Sequence, residues 1–158
     1  MWYFLICFAI FIALVAWYYS KKYKQMVADG SVIKRRPNFM ESAEEFTLCS
    51  IEPERMTEEI CRLEFKHSSI SSKYNAERQF FKFSAATWEA TLRRLSYDDA
   101  QMTYRFQFEH WKMTGTDMPR DFMGMNELAT SIEKLFVALD PNTSVVEIPL
   151  EVKEKNTL

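Results

Sequence analysis

Glycine is almost missing from this sequence, with three in 158 residues, at positions 30, 115 and 124. Spaced so widely, they cannot build the glycine-rich loop whose backbone N–H groups cradle a phosphate. Histidine and cysteine are as sparse. His67 and His110 stand in no HExxH-type spacing, and Cys49 and Cys61 lie too far apart for the paired-cysteine arm of a zinc site. The expectation is therefore of no metal and no cofactor. Cys7 sits within an apolar run, so only Cys49 and Cys61 remain for a disulfide, too few for the framework of a small secreted domain. Positive charge is short where a nucleic acid would need it. Residues 38–158 hold fourteen basic and twenty-one acidic residues, a balance of −7. A nucleic-acid binder needs a positive footprint, so no nucleic-acid partner is expected.

The first nineteen residues lack charge altogether. Met1 to Tyr19 reads MWYFLICFAIFIALVAWYY. As a helix it would cover roughly 28 Å, close to the hydrocarbon thickness of a bilayer. Trp2 and Tyr3 at one end, and Trp17, Tyr18 and Tyr19 at the other, suit the two headgroup zones. A cleaved secretory signal would carry basic residues before the run and small residues at its cleavage site. Here no basic residue precedes it, and Leu14 with Ala16 is a poor match. The segment 1–19 is expected to be a single-pass transmembrane helix, with membrane lipid as its partner.

Orientation is set by the flanks. Lys21, Lys22 and Lys24 come directly after the run, then Lys34, Arg35 and Arg36. Residues 1–37 thus carry six basic residues against one acidic, or +5. The positive-inside rule places the C-terminal domain in the cytoplasm, with the basic residues at anionic headgroups. Asn142-Thr143-Ser144, a glycosylation acceptor triplet, is the one contrary feature. Ala9 and Ala13 make a small-xxx-small spacing that permits close approach of a second helix.

Residues 20–42 read as a basic juxtamembrane linker, with Asp29-Gly30 and Arg36-Pro37 as breakers, although the membrane helix can run on for a turn or two. An α+β domain is expected over 43–153 and a short tail over 154–158. A strand is expected over Phe46–Ile51. Pro53 then starts a helix whose Met56, Ile60 and Leu63 share one face. Four strands come next, over Lys66–Tyr74, Arg78–Ser84, Thr87–Leu95 and Gln101–Lys112. In the last of these, Met102, Tyr104, Phe106 and Phe108 alternate with Thr103, Arg105, Gln107 and Glu109, the period of a strand with one dry and one wet face. After a loop at Thr114–Pro119, a helix over Asp121–Leu139 carries the stripe Met125, Leu128, Ala129, Ile132, Leu135, Phe136 and Leu139. Asp140-Pro141 ends it. A last strand over Val145–Val152 contains Pro149 and is expected at a sheet edge. The order β-α-β-β-β-β-α-β predicts one antiparallel sheet with both helices on a single face.

Few residues invite a chemical reading. Cys49 with His110 would make a nucleophile pair only if their strands adjoin and align. Asp98-Asp99 could serve as an acid/base pair, but reads as a turn. No catalytic signature stands out, and an enzyme is not expected. The favoured reading is a tethered interaction domain that binds another protein or a second copy through the wet sheet face. Arg93, Arg105, Gln107, Glu109 and Trp111 are its candidate contacts. The alternative is a membrane-tethered domain that binds a small molecule or lipid. Its element order is similar to a helix-grip arrangement, with a pocket near Phe122, Met123, Met125 and Phe136.

Overall fold

The computed structural model describes residues 2–115 and 118–150. It shows an α+β protein. A long N-terminal helix, α1, runs over Trp2–Ala28. Next come β1 (Ser42–Cys49), α2 (Pro53–Cys61), β2 (Ser71–Asn75), β3 (Phe80–Ala85), β4 (Trp88–Tyr97), β5 (Gln101–Trp111), α3 (Phe122–Leu139) and β6 (Ser144–Pro149). The six strands form one antiparallel sheet in the order β2-β3-β4-β5-β1-β6. The element order after α1 is the expected one, and the two later helices cover a single sheet face. Met56 and Ile60 of α2, and Met125, Leu128, Ile132 and Phe136 of α3, join Phe46, Phe83, Leu92 and Phe106 of the sheet in one apolar core. The Phe46 and Phe136 rings stack at 4.7 Å, so the space between sheet and α3 is filled by side chains.

Element bounds move where local signals were weak. β2 begins at Ser71 rather than Lys66, because the residues before it pack against other segments instead of a strand. β1 starts four residues earlier than alternation suggested, at Ser42, since Glu44 occupies a core-facing position. Pro149 lies in the edge strand β6, as its missing donor requires. Val146 and Ile148 pair with Glu45 and Ala43, so their apolar side faces away from the helices. The expected strand residue Val152, the tail 154–158 and loop positions 116 and 117 lie outside the described residues.

The linker reading changes most. α1 passes beyond Tyr19 without a break and stops only at Ala28. Gly30, at φ 74°, takes the left-handed turn that ends the helix, a conformation glycine adopts at little cost. The Val32 N–H then reaches back to the Met26 carbonyl at 3.1 Å. The chain from Asp29 to Pro37 is a strap bound along α3. Asn126 Nδ2 donates to the Ile33 carbonyl at 2.8 Å, and the Ile33 N–H donates to Thr130 Oγ1 at 3.2 Å. Thr130 Oγ1 in turn donates to Asn126 Oδ1 at 3.1 Å. Lys134 Nζ donates to the Gly30 carbonyl at 2.5 Å. Met26 and Val32 are buried beside these bonds. The polar residues Asn126, Glu127 and Thr130 are therefore buried on a helix whose sequence shows only one apolar stripe.

Candidate interaction surface

The helix-free face of the sheet is lined with polar side chains, most of them engaged across strands. Lys82 Nζ meets Glu89 Oε2 at 2.7 Å, and the Thr47 and Thr103 hydroxyls meet at 3.2 Å. The Lys82 ammonium, by hydrogen bond, holds the Glu89 carboxyl below its ordinary range. Arg105 donates to Glu45 from the neighbouring strand. Cross-strand pairs of this kind each add a few tenths of a kcal/mol, up to about 1 kcal/mol.

Two β-bulges break the regular pairing of β4 with β5. Ala90 pairs with Phe108 but Glu89 with His110, so Glu109 is an extra residue. Arg94 pairs with Tyr104 but Ser96 with Thr103, so Leu95 is extra. Bulges sharpen twist and bend a strand locally. Between them lies a hollow of about 270 Å³ lined by Thr91, Arg93, Leu95, Arg105, Gln107 and Glu109. Glu109 Oε1 accepts from Thr91 Oγ1 at 2.6 Å and from Gln107 Nε2 at 3.1 Å. The Arg93 guanidinium stands over the Phe80 ring at 5.7 Å, and among the described residues no carboxylate pairs with it.

The structure thus gathers Arg93, Arg105, Gln107 and Glu109 into one hollow. Trp111 is not with them. Strict alternation along β5 put it on the wet face, but the extra residue at Glu109 reverses the parity beyond that point. Trp111 pairs with the core-facing Trp88, packs against the core and donates its indole N–H to Met113 Sδ at 3.1 Å. No sequence signal marked that bulge.

The Cys49–His110 pair is excluded by register. β1 and β5 do adjoin, but Cys49 lies opposite Gln101, nine residues from His110, or roughly 30 Å along the strand. His110 instead lies 3.7 Å from Glu89. Partial desolvation, with the Asp140 carboxylate beside it, pushes the exposed Cys49 thiol up, away from the thiolate a nucleophile needs. Asp98 is a turn residue. Its Oδ1 accepts from the N–H groups of Ala100 and Gln101, each at 2.8 Å, which lowers its carboxyl. Cys7, Cys49 and Cys61 are all free thiols.

At the other end of the molecule, α1 is one helix long and apolar enough to cross a membrane. Trp2, Tyr3, Trp17, Tyr18 and Tyr19 all stand exposed on it. Lys21 folds back so that its Nζ lies 5.1 Å from the centre of the Trp17 ring. Lys24 is exposed, whereas Lys22 points toward the domain, with Nζ 3.5 Å from the His67 carbonyl.

Sequence reasoning missed the strap and its ionic lock. Arg35 donates to Glu44 Oε1 at 2.5 Å and to Glu133 Oε2 at 2.6 Å, joining strap, β1 and α3. Arg36 pairs with Glu147 of β6. His67 is held from two sides, its N–H by Glu127 Oε1 at 3.0 Å and its ring by Asp29 Oδ2 at 2.8 Å. Its partners are 38 and 60 residues away in sequence, beyond the reach of any local pattern. No family model matches the sequence, and neither a curated protein nor a solved structure matches it.

Proposed function

We propose that this chain is a single-pass membrane protein whose cytoplasmic α+β domain is a non-catalytic interaction module, binding a partner protein through the hollow on its helix-free sheet face. The observation that carries the proposal is the convergence of Arg93, Arg105, Gln107 and Glu109 on that one hollow. Arg105 is neutralised by Glu45, whereas among the described residues Arg93 is held by its ring contact alone. The partner is one that presents a carboxylate to Arg93, beside the exposed Leu95. Anchoring is supported by the exposed, uncharged face of α1 and by its aromatic flanks. Lys21, Lys22 and Lys24 support the cytoplasmic side, as do the unpaired thiols. The packing of Phe136 on Phe46 and of Met125 into the core gives no support to a pocket at those two residues, whereas Phe122 and Met123 line a cavity that opens toward α1.

The test is native mass spectrometry of the tagged full-length protein, extracted from its own membrane in mild detergent. A second polypeptide at fixed stoichiometry is expected, weakened at least tenfold by Arg93→Glu and not by Arg55→Glu on α2, which covers the opposite sheet face. A monomer, or a complex indifferent to Arg93→Glu, would sink the proposal. The orientation has its own check. Asn142, exposed in the turn before β6, should carry no glycan when the chain is expressed in cells able to attach one.

A further inference from the structure

Where the uncharged run of α1 ends, a larger cavity of about 490 Å³ opens between this helix and the domain. Tyr19 and Lys22, three residues apart and so on one face of α1, form one wall. Ser68 and Ser69 form a second, and Arg120 leads into the first turn of α3 at Phe122 on a third. Asp121 also lines the space, but its carboxylate is already occupied. Its Oδ2 accepts from Trp88 Nε1 at 2.9 Å, and its Oδ1 accepts from the Gly124 N–H at 3.0 Å, capping α3.

We propose that this cavity binds the phosphate of an anionic phospholipid headgroup, held beside the point where α1 enters the bilayer. The inference rests on the reading of α1 as a membrane helix. Position is the first argument. Tyr19 closes the uncharged run and Lys22 comes one turn later, which sets the cavity at the level of the headgroups. Chemistry is the second. Lys22 brings a cation and Ser68 and Ser69 two hydroxyl donors, the groups that recognise phosphate oxygens, while Arg120, which has a contact of its own, adds positive charge to the wall. Lys22 spends one donor on the His67 carbonyl and, among the described residues, keeps two of its three. The lining itself is the third. Tyr19 and Phe122 add an apolar side that an amphiphile uses, with its phosphate among the cations and its acyl chains running down α1. A free phosphate would share the polar chemistry and leave the apolar wall uncovered.

The experiment uses the full-length protein in detergent. Native mass spectrometry would follow retention of dioleoyl phosphatidylglycerol and dioleoyl phosphatidylcholine, with inorganic phosphate as a third probe. The Trp88 indole N–H resonance reports on the Asp121 side of the cavity. One phosphatidylglycerol per chain is expected to survive collision energies that strip phosphatidylcholine, and to shift the indole resonance. Lys22→Gln and Ser69→Leu, both at the rim and outside the core, should each weaken retention at least tenfold. Equal retention of both lipids, or retention unchanged in both variants, overturns the inference. So does displacement of the lipid by inorganic phosphate, which would mark a site for a soluble phosphate. Alkaline extraction of the same membranes separates the two readings. Protein that stays in the pellet without a selective lipid refutes the headgroup site alone, whereas protein released into the supernatant refutes the anchor.

Discussion

Glu44 places a carboxylate on the helix-covered face of the sheet, where its neighbour across β5 is Phe106. Burial pushes its carboxyl above the ordinary value of 4.5, against the pull of the Arg35 guanidinium, with Glu133 and Glu147 adding repulsion. Its Oε2 and the Arg35 Nε, both buried, have no hydrogen-bond partner among the described residues. An ion pair so placed adds little net stability, because desolvation offsets the attraction, yet breaking it strands a charge. The sign of the pH effect comes from the raised folded-state value. The folded protein binds more protons at Glu44 than the unfolded chain, so this contribution is present below pH 4.5 and lost as pH rises through the folded-state value. Asp29 and Asp140 act in the opposite sense. Hydrogen bonds from Ser31 hold Asp29 low, and the Cys49 N–H holds Asp140 low, so their contributions are lost on acidification. Glu44→Gln should therefore gain stability relative to the parent as pH is raised from about 4.5 to about 7.5. Thermal melting of both proteins in detergent across that range would show it, and parallel curves would remove Glu44 from the account.

At the scale of elements, α3 joins the two halves of the molecule. One side stacks Phe136 on Phe46 and packs Met125, Leu128 and Ile132 into the sheet. The adjacent side offers Asn126, Thr130 and Lys134 to the strap. Phe136→Ala should cost about 3–5 kcal/mol, the range for truncating a fully buried aromatic. Urea denaturation in detergent would measure it, and a loss below about 1 kcal/mol would mean that α3 is not seated as described. The sheet-facing side was legible in the sequence because it keeps the helical period over four turns, and β5 was legible because it alternates over eight residues. The strap was not, since Asn126 and Thr130 read as ordinary polar positions until a chain 93 residues away supplies their partners. Only part of the candidate surface could be read for a similar reason. Alternation placed Arg93, Arg105 and Gln107 correctly, but a bulge is a property of two strands together, and it carried Trp111 to the other face.

For the whole molecule, the strap decides whether the domain hangs from its helix or is fixed to it. A flexible tether between residues 20 and 42 would let the sheet face point in any direction. Here α1 runs to Ala28, turns at Gly30 and is tied to α3 by Ile33, Arg35 and the Gly30 carbonyl, so helix and domain move together. The strap contains Lys34 and Arg35, two tryptic sites in a segment that would be cut at once if it were mobile. Lys34 is exposed, so burial of its side chain does not protect it. Protection depends on the backbone, because a protease must open several residues to reach the bond. Brief trypsin treatment of the full-length protein in detergent should leave the bonds after Lys34 and Arg35 intact. Asn126→Ala, which frees the Ile33 carbonyl, and Arg35→Met, which unties β1 from α3 and leaves Lys34 as the site, should each speed cleavage at least tenfold while leaving the sheet folded by circular dichroism. Rapid cutting of the parent protein would mean that the domain is freely tethered and that its helix-free sheet face has no fixed direction relative to α1.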